Sequence, residues 1–363
     1  MELKDIKFDC KYFRGEIPCI PNKLRDKICD TCDEYIPIKT KILIIKLGAL
    51  GDVIRTTPLV NKYRELYPNS HITWVTLSPD ILPKDAIDKI YKYGFDAVYP
   101  ITHQKYDIAI NLDKEPEACA LLTDVNAKEK YGFIWNRTEN HIDVATPAAT
   151  HKLITGLFDN ISKQNTKSYL EEIFEICGLK FNHESYLLNV NKELVSKWTL
   201  LKEKSQGKKI IGLNTGCGKR WSTRLWATDN WIELVRQLQH NNYFPVLLGG
   251  VDEDAQNKIY NHETGAYYPG TYSLEEFIAI TANCDTIVTA VSMMMHIATG
   301  LQKPLILFNN IFNKHEFELY GRGTIVEPTT GCDDYYGNTC TRQHHCMHDI
   351  SVAAVYDAIV KHS

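Results

Sequence analysis

Short apolar runs alternate with amphipathic stretches along most of this chain. KILIIKL (41–47) is apolar and β-branched, the pattern of a buried strand. Gly48 and Gly51 turn the chain into DVIRTTPLVNKYRELYP, whose apolar spacing predicts one amphipathic helix ending at Pro68. HITWVTL (71–77), DAVYPI (96–101), YDIAINL (106–112) and YGFIW (131–135) read as further strands, with helices predicted over 84–93 and 115–124. A second set starts near residue 209. Its predicted strands are KIIGLNTG (209–216), FPVLLGG (244–250), TIVTA (286–290) and KPLILFNN (303–310). Its predicted helices are 227–241, 273–284 and 292–300, with Ser273 as a cap and Glu276 at the capping-box position. Such alternation implies parallel sheets with helices on both faces. The expected fold class is therefore α/β, with two doubly wound, Rossmann-like domains facing a cleft. The expected divisions are a cysteine-rich extension over 1–40, domains over 41–190 and 191–348, and a terminal helix over 349–363 that packs back on the N-terminal domain.

Length and composition narrow this picture little but usefully. The 363 residues suffice for two cores, and 44% hydrophobic with 24% charged residues is the balance of a globular protein. A formal charge of −4 argues against a general nucleic-acid binder. MELKDIKFDCKYF lacks an apolar signal core, so a cytoplasmic location is expected.

The strand ends carry the candidate chemistry, because ligands of doubly wound sheets bind there. Lys46 closes the first strand, and Gly48 and Gly51 permit a tight turn before Asp52. Asp52 has two readings: a helix N-cap, or a general base facing the cleft. The turn is not GxGxxG, so a dinucleotide fingerprint is absent. After the strand at 209, Thr215, Gly216, Lys219, Arg220 and Arg224 form a glycine-bearing basic loop suited to a phosphate. It lacks the Walker lysine–Ser/Thr pair. Gly250 and Glu253 follow the next strand, where a carboxylate can accept ribose hydroxyls, and Tyr272 can stack on a base. Ser292 opens a helix whose N–H groups suit a diphosphate, with His296 one turn on.

In this order and spacing, KLGALGDVIRTTPL, RWSTRLWATDNWIELV, LLGGVDE and MHIATGLQKPLILFNN followed by Tyr320-Gly321 resemble glycosyltransferase family 9, the ADP-heptose:lipopolysaccharide heptosyltransferase family. The resemblance covers about residues 41–350. It implies a GT-B arrangement, with an N-terminal acceptor domain and a C-terminal nucleotide-sugar domain. It also implies inverting, metal-independent transfer of a heptose or related sugar, with ADP as the expected nucleotide. The family's catalytic aspartate falls on Asp52 and its strand-end lysine on Lys46. Its phosphate-binding lysine falls on Arg224, its ribose-binding glutamate on Glu253 and its adenine-side position on Tyr272. Val291, Ser292 and Met293 stand where the family has Asp-Ser/Thr-Gly, so a carboxylate and a glycine are missing here. The implied partners are a nucleotide-sugar donor and a glycan, lipid-linked glycan or protein acceptor. Peripheral contact with the inner face of a membrane and oligomerisation stay open. The alternatives are a protein glycosyltransferase of the same fold and a non-catalytic nucleotide- or glycan-binding module.

The 11 cysteines are distributed unevenly. Cys119, Cys177, Cys217 and Cys284 read as small core residues. Cys10, Cys19, Cys29 and Cys32 include a CxxC pair, and four thiolates suit a structural zinc, an iron centre being the other metal considered and free thiols the alternative to both. Cys332, Cys340 and Cys346 form a second candidate set, alone or shared between the chain ends. No catalytic metal is expected.

Overall fold

The computed structural model describes residues 1–363, apart from the side chains of Lys219, Arg220 and Trp221. The chain divides into two units. The first comprises Met1–Gly48, Thr57–Thr150 and Phe174–Lys180; the second comprises Ala49–Thr56, His151–Ile173 and Phe181–Ser363.

In the first unit the β-branched run Thr40–Ile45 forms β1, fully buried from Ile42 to Ile45. β2 (Ser70–Thr76) and β4 (Lys105–Asn111) flank it in parallel, with Ile44 facing Trp74 on one side and Ile110 on the other. β3 (Lys89–Lys92), β5 (Asn126–Asn136) and β6 (His141–Val144) complete the order β3-β2-β1-β4-β5-β6. Only the β5–β6 pair is antiparallel. The second unit holds β7 (Lys209–Asn214), β8 (Tyr243–Leu248), β9 (Thr286–Ala290), β10 (Leu305–Phe308) and β11 (Gly323–Val326). They are all parallel, in the order β11-β10-β9-β7-β8.

Four expectations are corrected. DAVYPI lies in a helix, Phe95–Thr102: Ala97 and Ile101 are buried at an i, i+4 spacing, which a run this short cannot distinguish from a strand's by periodicity alone. The segment 84–93 is not a helix but holds the edge strand β3. The single helix after Gly51 is two, Leu50–Thr56 and Pro58–Leu66, because Pro58 has no N–H to continue the first helix's hydrogen bonds and suits the first turn of a new helix. The terminal helix, Val352–His362, packs on the Thr228–His240 helix and on β10 and β11, within the second unit. Its buried Val352, Val355, Ala358 and Ile359 join a core with Trp226, Trp231 and Phe308, and that core, not the N-terminal sheet, is what its apolar stripe matches.

The first 40 residues are part of the first unit. Backbone bonds from Lys11 to Ile36 (2.8 Å) and from Ile38 to Asp9 (2.7 Å) fold them back. A bidentate Arg25–Glu34 pair and the Lys11–Asp88 ion pair (3.2 Å) hold them further. The zinc or iron staples expected at the two cysteine sets are not shown. Cys10, Cys19, Cys29 and Cys32 line one 270 Å³ cavity whose wall also includes Ile6, Phe13 and Ile17. At the other end Cys346 is buried, with Asn310 3.5 Å from its sulfur. Among the described residues no group of three or more His, Cys, Asp or Glu is placed to hold a metal ion. Nor is any described helix long and apolar enough to cross a membrane.

Trp231, 2% exposed, stacks edge-on against Trp226 with centroids 5.0 Å apart. Trp231→Ala is expected to destabilise the second unit by about 3–5 kcal/mol, read as a lower denaturant midpoint.

Candidate functional site

A cleft of 420 Å³ opens at the carboxyl ends of β7, β8 and β9. Five of the residues singled out from sequence line it: Gly216, Gly250, Glu253, Tyr272 and Ser292. Its shape depends on missing side chains. A Cβ on Gly216 would lie 2.0 Å from the Glu253 carboxylate, and one on Gly249 would lie 2.6 Å from the Glu253 Cβ. Glu253 fills that space and accepts the Gly250 N–H at 2.8 Å. Behind the cleft, the Asn214 amide donates to Gly216 O (2.8 Å) and Thr289 Oγ1 (2.9 Å), pinning the loop after β7. Thr215 does not line the cleft; its hydroxyl donates to buried Asn257 at 2.7 Å, and Asn257 in turn donates to Leu248 O. Tyr272, 41% exposed, stands edge-on to Trp198 at 5.1 Å and forms an aromatic wall with Phe277. Ser292 caps the Met293–Gly300 helix by accepting the Met294 N–H.

Arg224 is buried, 6% exposed. Its guanidinium donates to Cys217 O at 2.8 Å and to Val291 O, joining the loops after β7 and β9. It also lies over the Phe312 ring at 5.5 Å. Arg224 therefore braces the cleft from behind. Lys219 and Arg220, the other cations expected in this loop, lie outside the described side chains. Burial raises the pKa of the Cys217 thiol, with Arg224 opposing the rise, so this cysteine is a poor nucleophile.

The Met293–Gly300 helix connects the cleft to Asp52. One turn beyond Ser292, His296 packs against Gly51, where a Cβ would approach its Cδ2 to 2.6 Å. The Leu50–Thr56 helix rests there, counted with the second unit. Asp52 lies in its first turn and forms an ion pair with Arg55 at 2.7 Å. Arg55 lies over the Tyr169 ring at 3.5 Å. His296 is 7% exposed, and its Nδ1 has no partner among the described residues. Burial, then the nearby Arg55 charge, pushes its pKa down to about 3, against a smaller opposing effect of Asp52.

Lys46 and Gly48 belong to the first unit. Lys46 is 4% exposed and forms an ion pair with Asp113, which also accepts the Leu47 N–H. Burial raises the Asp113 pKa, with Lys46 opposing it. Asp113 and Arg55 were not singled out from sequence. Asn111-Leu-Asp113 at the end of an apolar run had the strand-end signal that marked Lys46, but Arg55 had none beyond its i+3 spacing from Asp52.

Comparison with known proteins places the chain in a family. The profile of glycosyltransferase family 9 (heptosyltransferase) matches residues 100–322, more than half of the chain, which belongs to that family. Lipopolysaccharide heptosyltransferase 2 of Salmonella typhimurium is 29% identical over 157 residues, 41% of this chain and 44% of that protein. The Escherichia coli K12 protein of the same name is 34% identical over 102 residues, 26% of this chain and 28% of that one. The chain thus matches less than half the length of these curated relatives. Its fold is similar to that of a family 9 glycosyltransferase from Veillonella parvula, with a TM-score of 0.67 at 18% identity, covering 89% of this chain and 96% of the other. E. coli ADP-heptose lps heptosyltransferase II gives 0.64 at 17%, covering 88% and 98%. The dodecameric, iron-containing heptosyltransferase TibC gives 0.52 at 12%, covering 89% and 76%.

The depressed His296 pKa has a stability consequence. His296 is neutral in the fold and its ordinary pKa is 6.5, so the unfolded chain takes up the proton first as pH falls. Stability is therefore lost between about pH 6.5 and 3, with a slope from this group of at most about 1.4 kcal/mol per pH unit. His296→Gln should flatten that slope in denaturation curves collected across the window.

Proposed function

We propose that this protein is a sugar transferase that uses a nucleotide-diphosphate sugar, ADP-heptose or a close relative, and that it glycosylates a hydroxyl of a lipopolysaccharide-type glycan. The single observation that carries this reading is the cleft. In a member of family 9, its 420 Å³ brings together a carboxylate, an aromatic wall and a helix N-terminus at the strand ends. Glu253 suits the ribose hydroxyls and Tyr272 the base. The first N–H groups of the Met293–Gly300 helix suit the diphosphate. Arg224 fixes the two loops beside that diphosphate and adds a positive charge behind them. Such preorganised groups stabilise the negative charge that grows on the leaving nucleotide.

In this reading Asp52 takes the proton from the acceptor hydroxyl as its oxygen attacks the anomeric carbon from the face opposite the diphosphate, inverting that centre. The helix begins at Leu50, so Asp52 sits inside the first turn rather than at a cap, which favours the base reading over the N-cap one. A binding module without catalysis is the second reading, favoured by Val291 and Met293 in place of the family's aspartate and glycine.

Asp52→Asn separates the two. Transfer from ADP-heptose should fall by about 100-fold or more, while ADP binding by calorimetry stays within twofold of the parent. A parent that binds ADP but turns over no donor in a panel of nucleotide sugars would leave only the binding module. Gly216→Ala, which displaces Glu253, should weaken ADP binding by about tenfold or more and leave the fold intact by circular dichroism.

A further inference from the structure

Around Asp52 the contacts form a closed ring. The Asp52 carboxylate pairs with Arg55 at 2.7 Å, and the Arg55 guanidinium lies on Tyr169 at 3.5 Å. The Tyr169 hydroxyl is 3.4 Å from Thr56 Oγ1, and that hydroxyl donates to Asp52 O at 2.7 Å. One turn of helix and one aromatic ring thus hold both ends of Asp52. We propose that Arg55, clamped on Tyr169, is a positioning residue that fixes the orientation and the ionised state of the Asp52 carboxylate; the proposal rests on the reading of Asp52 as the base.

Stability alone does not account for this arrangement. A single i, i+3 ion pair on a helix adds little to stability. The Arg55 side chain is only 15% exposed, and among the described residues its Nε has no hydrogen-bond partner. Burying a charge with an unsatisfied donor costs free energy, so the arrangement has a use that offsets it. Ionisation supplies that use. The titratable groups facing the pair from other elements are Tyr169, Tyr186, His296, Glu316 and Tyr336, with Glu318 behind Tyr186. Burial raises the pKa of Tyr186 and of Tyr336, so both are neutral at pH 7, as is His296. Glu316 and Glu318 are acidic. Among these groups Arg55 is the cation beside the half-buried Asp52 carboxylate, and a cation at that distance favours the charged form. A base also needs a fixed direction toward its proton, and the stacked guanidinium provides it.

The test uses Arg55→Met, Arg55→Lys and Tyr169→Leu in the full chain. With ADP-heptose, Arg55→Met should lower kcat by about 10–100-fold, leave KM for the donor within twofold, and move the acid limb of the pH profile to higher pH. Arg55→Lys should recover part of kcat and return the limb toward the parent's, and Tyr169→Leu should resemble Arg55→Met. In a measurement that needs no substrate, the Asp52 carboxyl carbon, followed by NMR in aspartate-labelled protein, should titrate at higher pH in Arg55→Met than in the parent. Parent-like kcat and an unmoved limb in Arg55→Met overturn the proposal. So does an unmoved Asp52 titration, or a loss that falls wholly on KM. Full activity in Asp52→Asn would instead overturn the base reading itself, so the two failures are distinguishable.

Discussion

The contact between Gly51 and His296 is the constraint on which the site depends. Two helices meet there at a distance that any Cβ on residue 51 would prevent, since it would sit 2.6 Å from the imidazole Cδ2. One of these helices starts at Ser292 in the wall of the cleft, and the other carries Asp52 and Arg55. Their close packing ties the position of a carboxylate to the position of a helix N-terminus. The imidazole can occupy this place only as a neutral ring, because a buried charge beside Arg55 would be penalised twice. A small residue and an uncharged histidine thus do together what neither achieves alone.

The cleft repeats this logic with a different pair. Gly216 and Gly249 supply the space, and the Glu253 side chain fills it. Asn214, Thr215 and Asn257 then fasten the surrounding backbone from behind through buried hydrogen bonds. Removing one member of such a set leaves polar groups buried without partners, so the loops keep one shape.

These features differ in how far the sequence discloses them. Glycines, prolines and capping residues at strand ends act locally, and their positions alone located most of the cleft: Gly216, Gly250, Glu253, Tyr272 and Ser292 come together as their order implied. The two parallel sheets were equally legible, because β-branched runs such as KILIIKL admit few other uses. What stayed hidden depends on tertiary partners. The run at 96–101 could serve either period, and packing of Ala97 and Ile101 decided it. The terminal helix has an apolar stripe, but nothing in the stripe names the surface it covers. Thiol spacing suggested metal sites and did bring four thiols around one cavity, but the backbone bonds and ion pairs that also hold the extension left no mark in that spacing. Arg55 was hidden for the same reason: its use depends on Tyr169, more than a hundred residues along the chain.

The departure at 291–293 can be understood through Arg224. Its guanidinium holds the two flanking loops through backbone carbonyls, those of Cys217 and Val291. A carbonyl is present whatever the side chain, so this brace does not require an aspartate at position 291. Val291 is 8% exposed and contributes apolar burial there instead. Met293 likewise lines the cleft with an adaptable, polarisable side chain where the family carries glycine. The backbone beside the cleft is thus held without an aspartate at position 291, and within this stretch only the side chains at 291 and 293 depart from the family's pattern.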